Sequence, residues 1–254
     1  MTKLPISLVI ITLNEENNIE RCIKSVPFAS DIVVLDNGSQ DKTLKKAADL
    51  GARTFSEPWL GFGPQKRRAT ELATMDWVLN LDADETLSEE LQNEIQQRFH
   101  ELDSKTGYLF PRKSFHLGRW ILHGGWYPDR QLRLYNRQHA NWSENQIHER
   151  VQAVKEVTFQ KPMLHFVFKD LADQIQTNNR YSGLQAESQY KAGERFSMVK
   201  MLVKPVSKFI ECYILKFGIL DGLPGLIIAV GAGYSVFLRW AKIWEIENKD
   251  GNAG

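Results

Sequence analysis

WVLNLDADE, residues 77–85, reads as a buried strand that runs out into carboxylates. Trp77 to Leu81 is apolar except for Asn80, the pattern of a strand covered on both faces. Asp82, Asp84 and Glu85 follow at once. A turn at Ala83 would separate the first two, sending one to a ribose hydroxyl and the other to a divalent cation. Hard carboxylate oxygens, completed by the oxygens of a diphosphate, suit Mg²⁺ or Mn²⁺. The same acids also suit the first turn of a helix opened by Ser88, so this stretch alone leaves both uses open.

Upstream the pattern repeats. Ile6 to Thr12 is a continuous apolar, β-branched run, Asp31 to Asp36 (DIVVLD) reads as a second buried strand, and Arg53 to Ser56 as a short third strand. Helical patterns over 17–26, 41–50, 64–74 and 88–102 separate them. Gly51 stands as a C-terminal stop and Pro64 in a first turn. Strands that start near 6, 31, 53 and 77 mark successive βα units and predict an α/β fold with a mostly parallel sheet. Ligands of such sheets bind beyond the carboxyl ends of the strands.

The residues at those ends fit a nucleotide. Asp36-Asn37-Gly38-Ser39-Gln40-Asp41 follows the second strand. Asp36 can accept from the N3–H of a uracil, and the same residues also make a tight turn with Asp41 capping the next helix. Thr12-Leu13-Asn14-Glu15 follows the first strand and offers small polar and acidic groups to a base and ribose. Gln65-Lys66-Arg67-Arg68 opens a helix, where cations and backbone N–H groups favour a diphosphate, or simply form a solvated basic face.

Taken together, ISLVIITLNEENNI, IVVLDNGSQDKT, GFGPQKRRATELA and WVLNLDADE resemble glycosyltransferase family 2, whose fold is GT-A, over roughly residues 4 to 90. The resemblance implies that Thr12, Asn14, Glu15 and Asp36 bind the nucleoside, Lys66 and Arg67 the diphosphate side, and Asp82 and Asp84 the ribose and metal. GGWYPDRQLRLYNR (124–137), NQIHERV (145–151) and LHFVFKDL (164–171) look like the lipopolysaccharide-core branch, which is similar to a β-glucosyltransferase acting on inner-core heptose. That likeness places His165 in the metal shell and Glu149 as catalytic base, with Asp129 the alternative base. Trp126, Tyr127, Arg130 and Arg133 fall on the acceptor side. Trp126, Tyr127 and Trp142 could stack on sugar faces. Plainer uses stand beside these: His165 and Trp142 as core, Asp129 and Glu149 in salt bridges to neighbouring arginines.

Composition narrows the class. The 254 residues carry 32 Lys and Arg against 31 Asp and Glu, a formal charge of +1, so nothing global points to nucleic acid. Cys22 and Cys212 have no metal-ligand spacing and suit a reducing compartment. The apolar start is followed by Asn14-Glu15-Glu16-Asn17-Asn18 where a small-residue cleavage site would stand, and it reads as a strand rather than a signal peptide. No Walker loop, Gly-x-Ser-x-Gly or strand-linked Gly-x-Gly-x-x-Gly is present.

We therefore expect a GT-A-type domain over 1–170 and a helical, membrane-facing extension over 171–254. In the extension Phe196, Val199, Val203, Val206, Ile210, Tyr213 and Phe217 recur at steps of three and four, with Lys200, Lys204 and Lys208 on another face. Gly222 to Leu238 has no charge but is short for a span, which argues for a re-entrant or interfacial helix, or a buried or oligomer contact. The expected reaction is inverting transfer of a sugar, glucose from UDP-glucose, onto a lipid-linked saccharide at the cytoplasmic face of a bacterial inner membrane. The protein would act alone or as a homo-oligomer. Transfer to a polyprenyl phosphate and, further off, sugar-1-phosphate nucleotidyl transfer are the alternatives; the latter needs a Gly-rich phosphate loop where NEENN stands.

Overall fold

The expected strands form, and they stack as parallel neighbours. The computed structural model describes residues 2–142 and 151–251, and places them in two compact units, 1–112 with 129–165 and 113–128 with 166–254. The first unit begins with β1 (Leu4–Thr12), α1 (Ile19–Lys24), β2 (Ala29–Asp36), α2 (Thr43–Asp49), β3 (Arg53–Ser56), α3 (Phe62–Glu71) and β4 (Trp77–Asp82). β5 (Glu85–Leu87) and α4 (Glu89–Arg98) follow, then β6 (Thr106–His116), which runs on into the second unit, where β7 (Arg119–Ile121) pairs with it. β8 (Asp129–Asn136), β9 (Asn141–Trp142), β10 (Val151–Gln152), β11 (Lys155–Thr158) and β12 (Met163–His165) complete the first unit.

The sheet runs β3-β2-β1-β4-β8-β6-β12-β5. Its β3-β2-β1-β4 half is parallel throughout, as the βα rhythm requires. Beyond β4 it is mixed: β8 runs antiparallel to β4 and β6 and β12 antiparallel to β5, whereas β11 pairs parallel with β6. Alternation along β1 divides the core. Ile6, Leu8 and Ile10 face one apolar layer with Leu79, Leu81 and Phe110, whereas Val9 and Ile11 face the other with Val33, Leu35 and Tyr135. Both faces are covered, which is why the parallel strands lack polar alternation. Ser88 caps α4 by accepting from Leu91 N at 3.1 Å, as its position before the acidic turn predicts.

The second unit is helical after an aromatic cluster. Phe115 and Trp120, at ring centroids 5.2 Å apart, pack with Phe166, while His116 stacks on Trp126 at 5.9 Å and meets Phe168 edge-on. α5 (Leu171–Lys191) is capped by Asp170, and α6 (Met198–Ile210) by Ser197. α6 carries Pro205 inside it and continues as one π turn, Glu211–Leu215. A short 3₁₀ turn, Gly218–Asp221, leads into α7 (Gly222–Gly251). Ala186, Trp240 and Ile243 bury one face of α7 against α5, with Phe196 and Met201 beside them. Gly218–Lys249 is long and apolar enough to cross a membrane by length and composition. α6 has no buried residue, and Val199, Leu202, Val203 and Val206 all stand exposed.

Candidate active site

Backbone register brings the predicted residues together before any side chain is considered. Thr12 pairs with Asp36 and Ile11 with Asp82, so the ends of β1, β2 and β4 lie side by side. Thr12 is buried, and its hydroxyl has no hydrogen-bond partner among the described residues.

Asp36 builds its own loop. Its Oδ2 accepts from Gly38 N and Ser39 N, both at 2.8 Å, and its Oδ1 from the Ser39 hydroxyl. A carboxylate has room for about four donors, and these three fill most of it. Gly38 holds φ +112°, which a side chain would strain. Asn14, itself at φ +55°, donates its N–H to Ser39 Oγ at 2.8 Å and accepts Gln40 N–H at 2.8 Å. Glu15 N donates to Thr43 Oγ1 at 2.8 Å, and the Glu15 carboxylate accepts Asn18 Nδ2 at 2.7 Å. Asn14 and Glu15 thus stitch the loop after β1 to the loop after β2.

The turn at Ala83 and Asp84 separates the carboxylates. Asp82 accepts from Lys66 Nζ at 2.8 Å and Arg133 Nη2 at 2.6 Å. Asp84 Oδ2 lies 3.2 Å from His165 Nε2, a residue brought across by β12 opposite Glu85. Glu85, fully buried, accepts from Arg133 at 2.6 Å and Arg112 at 3.1 Å, and its second oxygen from Asp82 N at 3.1 Å. Arg112 in turn holds Asp129 at 2.5 Å. Lys66, Asp82, Arg133, Glu85, Arg112 and Asp129 therefore alternate in sign along one continuous chain.

That alternation sets the protonation states. Burial works against charge on Asp82, but Arg133 and Lys66 outweigh it and hold the carboxyl well below its usual range. Burial also opposes the charge on Glu85, which Arg133 and Arg112 nonetheless keep low. Arg133 is desolvated too, and the two carboxylates more than compensate, raising its pKa. At neutral pH both acids are ionised and both arginines charged.

Glu85 and Arg112 did not stand out in the sequence as members of the site. Glu85 belonged to the quoted acidic run, and Arg112 lay outside every quoted motif, inside what proves to be β6. Lys66 is buried, with its ammonium 4.9 Å from the Trp142 ring, and Trp142 Nε1 donates to Tyr135 Oη at 3.0 Å. Trp142 is core. Asp129 has both oxygens engaged, Oδ2 by Arg112 and Oδ1 by Gln131 at 2.8 Å. Arg67 is half-buried on α3, and Arg130 is exposed. Arg133 is 3% exposed and turned into the carboxylates. Trp126 and Tyr127 belong to the second unit, where both are half-buried. Glu149 lies outside the described residues.

Among the described residues no three His, Cys, Asp or Glu side chains cluster as a ready metal cage. The Asp84–His165 pair supplies one carboxylate oxygen and one imidazole nitrogen. A divalent ion of the Mg²⁺ or Mn²⁺ kind takes few protein donors when a diphosphate and water supply the rest, so the pair fits it.

A mixed sheet flanked by helices, its parallel half ending in polar and acidic residues, defines a GT-A-type α/β domain. The chain belongs to glycosyltransferase family 2, which its residues 7–155 match. It is 32% identical to an uncharacterized glycosyltransferase of Rickettsia typhi, over 97% of this chain and 89% of that one. It is also 32% identical to the lipopolysaccharide core biosynthesis glycosyltransferase LpsC of Rhizobium meliloti, over 96% and 93%. Glucosyl-3-phosphoglycerate synthase of Mycobacterium tuberculosis, solved with Mn²⁺, UDP and glucosyl-3-phosphoglycerate, shares 29% identity over 44% of either chain, with a TM-score of 0.35.

Proposed function

We propose that this family 2 enzyme transfers glucose from UDP-glucose, with inversion, to a hydroxyl of a lipid-linked saccharide such as the lipopolysaccharide inner core. We place it at the cytoplasmic face of a bacterial inner membrane. One observation carries the reading: Asp82 and Asp84 part at a turn, one to Lys66 and Arg133, the other to His165, beside the unsatisfied hydroxyl of Thr12. The lipopolysaccharide-core relative supports the acceptor class.

In this reading Thr12, Asn14, Glu15 and Asp36 hold the nucleoside, the last accepting from the uracil N3–H. Asp82 takes the ribose, and Lys66 and Arg67 face the diphosphate. Asp84 and His165 would hold a divalent cation, which when bound acts as a Lewis acid on the leaving diphosphate. Glu149 takes the proton of the acceptor hydroxyl. The freed oxygen attacks the anomeric carbon from the face opposite the diphosphate, and the bond to the diphosphate breaks. Arg112 and Gln131 hold Asp129 too closely for it to serve as base, so Glu149 is preferred. Arg133 we assign to fixing Asp82 rather than to the acceptor, and Trp126, Tyr127 and Arg130 remain the acceptor residues. Residues 1–170 carry catalysis and 171–254 the membrane contact.

The test is a transfer assay on a lipid-linked core acceptor with UDP, GDP and TDP as competitors. UDP should protect best, and Glu149→Gln should keep donor binding while losing transfer at least 100-fold, with Asp129→Asn much milder. Stronger protection by GDP would reassign the donor. Full transfer by both variants would move the acceptor to a phosphate, which needs no base.

A further inference from the structure

We propose that α6 and the turn after it seat in one leaflet of an anionic bilayer, lying in its plane, and that α7 does not cross it. The lipid in question is the surface that carries the acceptor, so the proposal rests on the lipid-linked acceptor reading above. Ile214, Leu215, Phe217, Ile219, Leu220 and Leu223 fall within ten positions, and each is at least 50% exposed. Isolated exposed leucines need no explanation, but six large apolar side chains exposed within one turn mark a contact surface.

This exposure is built into the backbone. Phe217 sits at φ +57°, a conformation that bulky residues avoid. A Cβ on Gly218 would stand 2.6 Å from the Cys212 carbonyl oxygen, and one on Gly225 would stand 1.9 Å from that of Gly218. The chain therefore doubles back through contacts that only glycine permits. Asp221, fully buried, fastens the turn: it accepts from His123 N at 2.8 Å and Leu122 N at 3.2 Å and pairs with Arg119 at 3.3 Å. A turn pinned in this way cannot fold its apolar side chains inward, and it reaches a partner already ordered.

Charge selects lipid over a second copy of the chain. α6 prolongs the apolar surface through Val199, Val203, Val206 and Ile210, with Lys200, Lys204 and Lys208 on its adjoining flank. Residues 198–223 hold four lysines against two acids, one of them the buried Asp221; Lys208 and Lys216 share Glu211 and Lys200 pairs with Glu194, which still leaves the surface net positive. Two such surfaces face to face would oppose lysine to lysine, whereas anionic headgroups neutralise them.

α7 is unfit to span. In the middle of its uncharged stretch, a Cβ on Gly231 would lie 3.4 Å from the side-chain amides of Gln174 and Asn178. Further along, Lys242 Nζ donates to Asn179 O at 2.5 Å and to Ser182 Oγ at 2.9 Å. A spanning α7 would drag the polar face of α5 into hydrocarbon, where such groups find no water.

The experiment uses the full chain and sedimentation with vesicles of phosphatidylcholine and phosphatidylglycerol, 7:3, against phosphatidylcholine alone. Binding should need the anionic lipid, and a Leu215→Ser, Phe217→Ser, Leu220→Ser variant should partition at least tenfold less with unchanged circular dichroism and unchanged donor turnover. A nitroxide on Leu220→Cys should become shielded from aqueous relaxation agents on binding; the native Cys22 and Cys212 are buried. Lys249→Cys should stay open to an impermeant maleimide added outside. Wild-type binding by the triple variant, or a nitroxide still in water on bound protein, would overturn the docking. So would a dimer that the triple variant dissolves, with no vesicle binding. Protection of Lys249→Cys until lysis would mean that α7 spans. Vesicle binding without sugar turnover counts against the transferase reading alone, and turnover without vesicle binding against this proposal alone.

Discussion

Arg133 shows how a single residue can decide the site. It lies between Asp82 and Glu85 with almost no solvent, so deleting it leaves the fully buried Glu85 to Arg112 and the half-buried Asp82 to Lys66. Breaking such a pair costs about 3–5 kcal/mol, whereas an exposed pair such as Lys24 with Glu20 is screened by water and worth little. Arg133→Ala should therefore lower the urea midpoint strongly and lose UDP binding, read by denaturation and calorimetry. Asp31 sets a different limit. Its burial raises its pKa, but Arg53, Ser7 and Thr74 hold it down at about 2. A carboxyl lowered in the folded state stabilises above its unfolded value of about 4, and that share is lost as pH falls through the folded value. A carboxyl that falls from about 4 to about 2 on folding contributes about 2.5 kcal/mol in this way. Asp31→Asn should thus be less stable than the parent at pH 7, with the gap closing between pH 4 and 2 in acid unfolding curves.

At the scale of elements, legibility followed burial and periodicity. β1, β2 and β4 were readable because each is a short, largely apolar run closed by a polar loop, β3 (RTFS) from its place in the βα rhythm, and Ser88 because a cap must precede its helix. Helix ends were less so. α1 is only Ile19–Lys24, where the pattern ran on to Val26, and α3 starts at Phe62, two residues before Pro64. Pro lacks only an N–H that a first turn leaves unpaired, so it marks the turn and not its first residue. β12 is three residues long and carries His165 to Asp84; no periodicity can appear in so short a strand, and only the family likeness pointed to it. The turn before α7 was invisible for another reason: its shape depends on backbone contacts between Gly218, Gly225 and Cys212. Gly225→Ala should force that contact apart at a cost of about 1–3 kcal/mol, seen as a lower melting temperature, while Gly38→Ala, with nothing within 4 Å, should cost only its backbone strain.

For the whole molecule, the ends of β1, β2 and β4 predicted where chemistry would gather, and the register of the sheet brings Thr12, Asp36 and Asp82 there. What the chain order hid is the mixed half, whose β6 and β8 deliver Arg112 and Arg133 to the same carboxylates from far along the sequence. Long-range ion pairs leave no local pattern, so Arg133 looked like an acceptor residue when read beside its neighbours. Above all, Asp84 and His165 should complete a donor site that works with a divalent cation. Release of UDP from UDP-glucose by the full chain, followed with Mn²⁺ or Mg²⁺ and then in excess EDTA, tests this most directly. The expected result is turnover that EDTA abolishes and that Asp84→Ala lowers at least 100-fold with the fold intact; undiminished release in EDTA, or by Asp84→Ala, would contradict it.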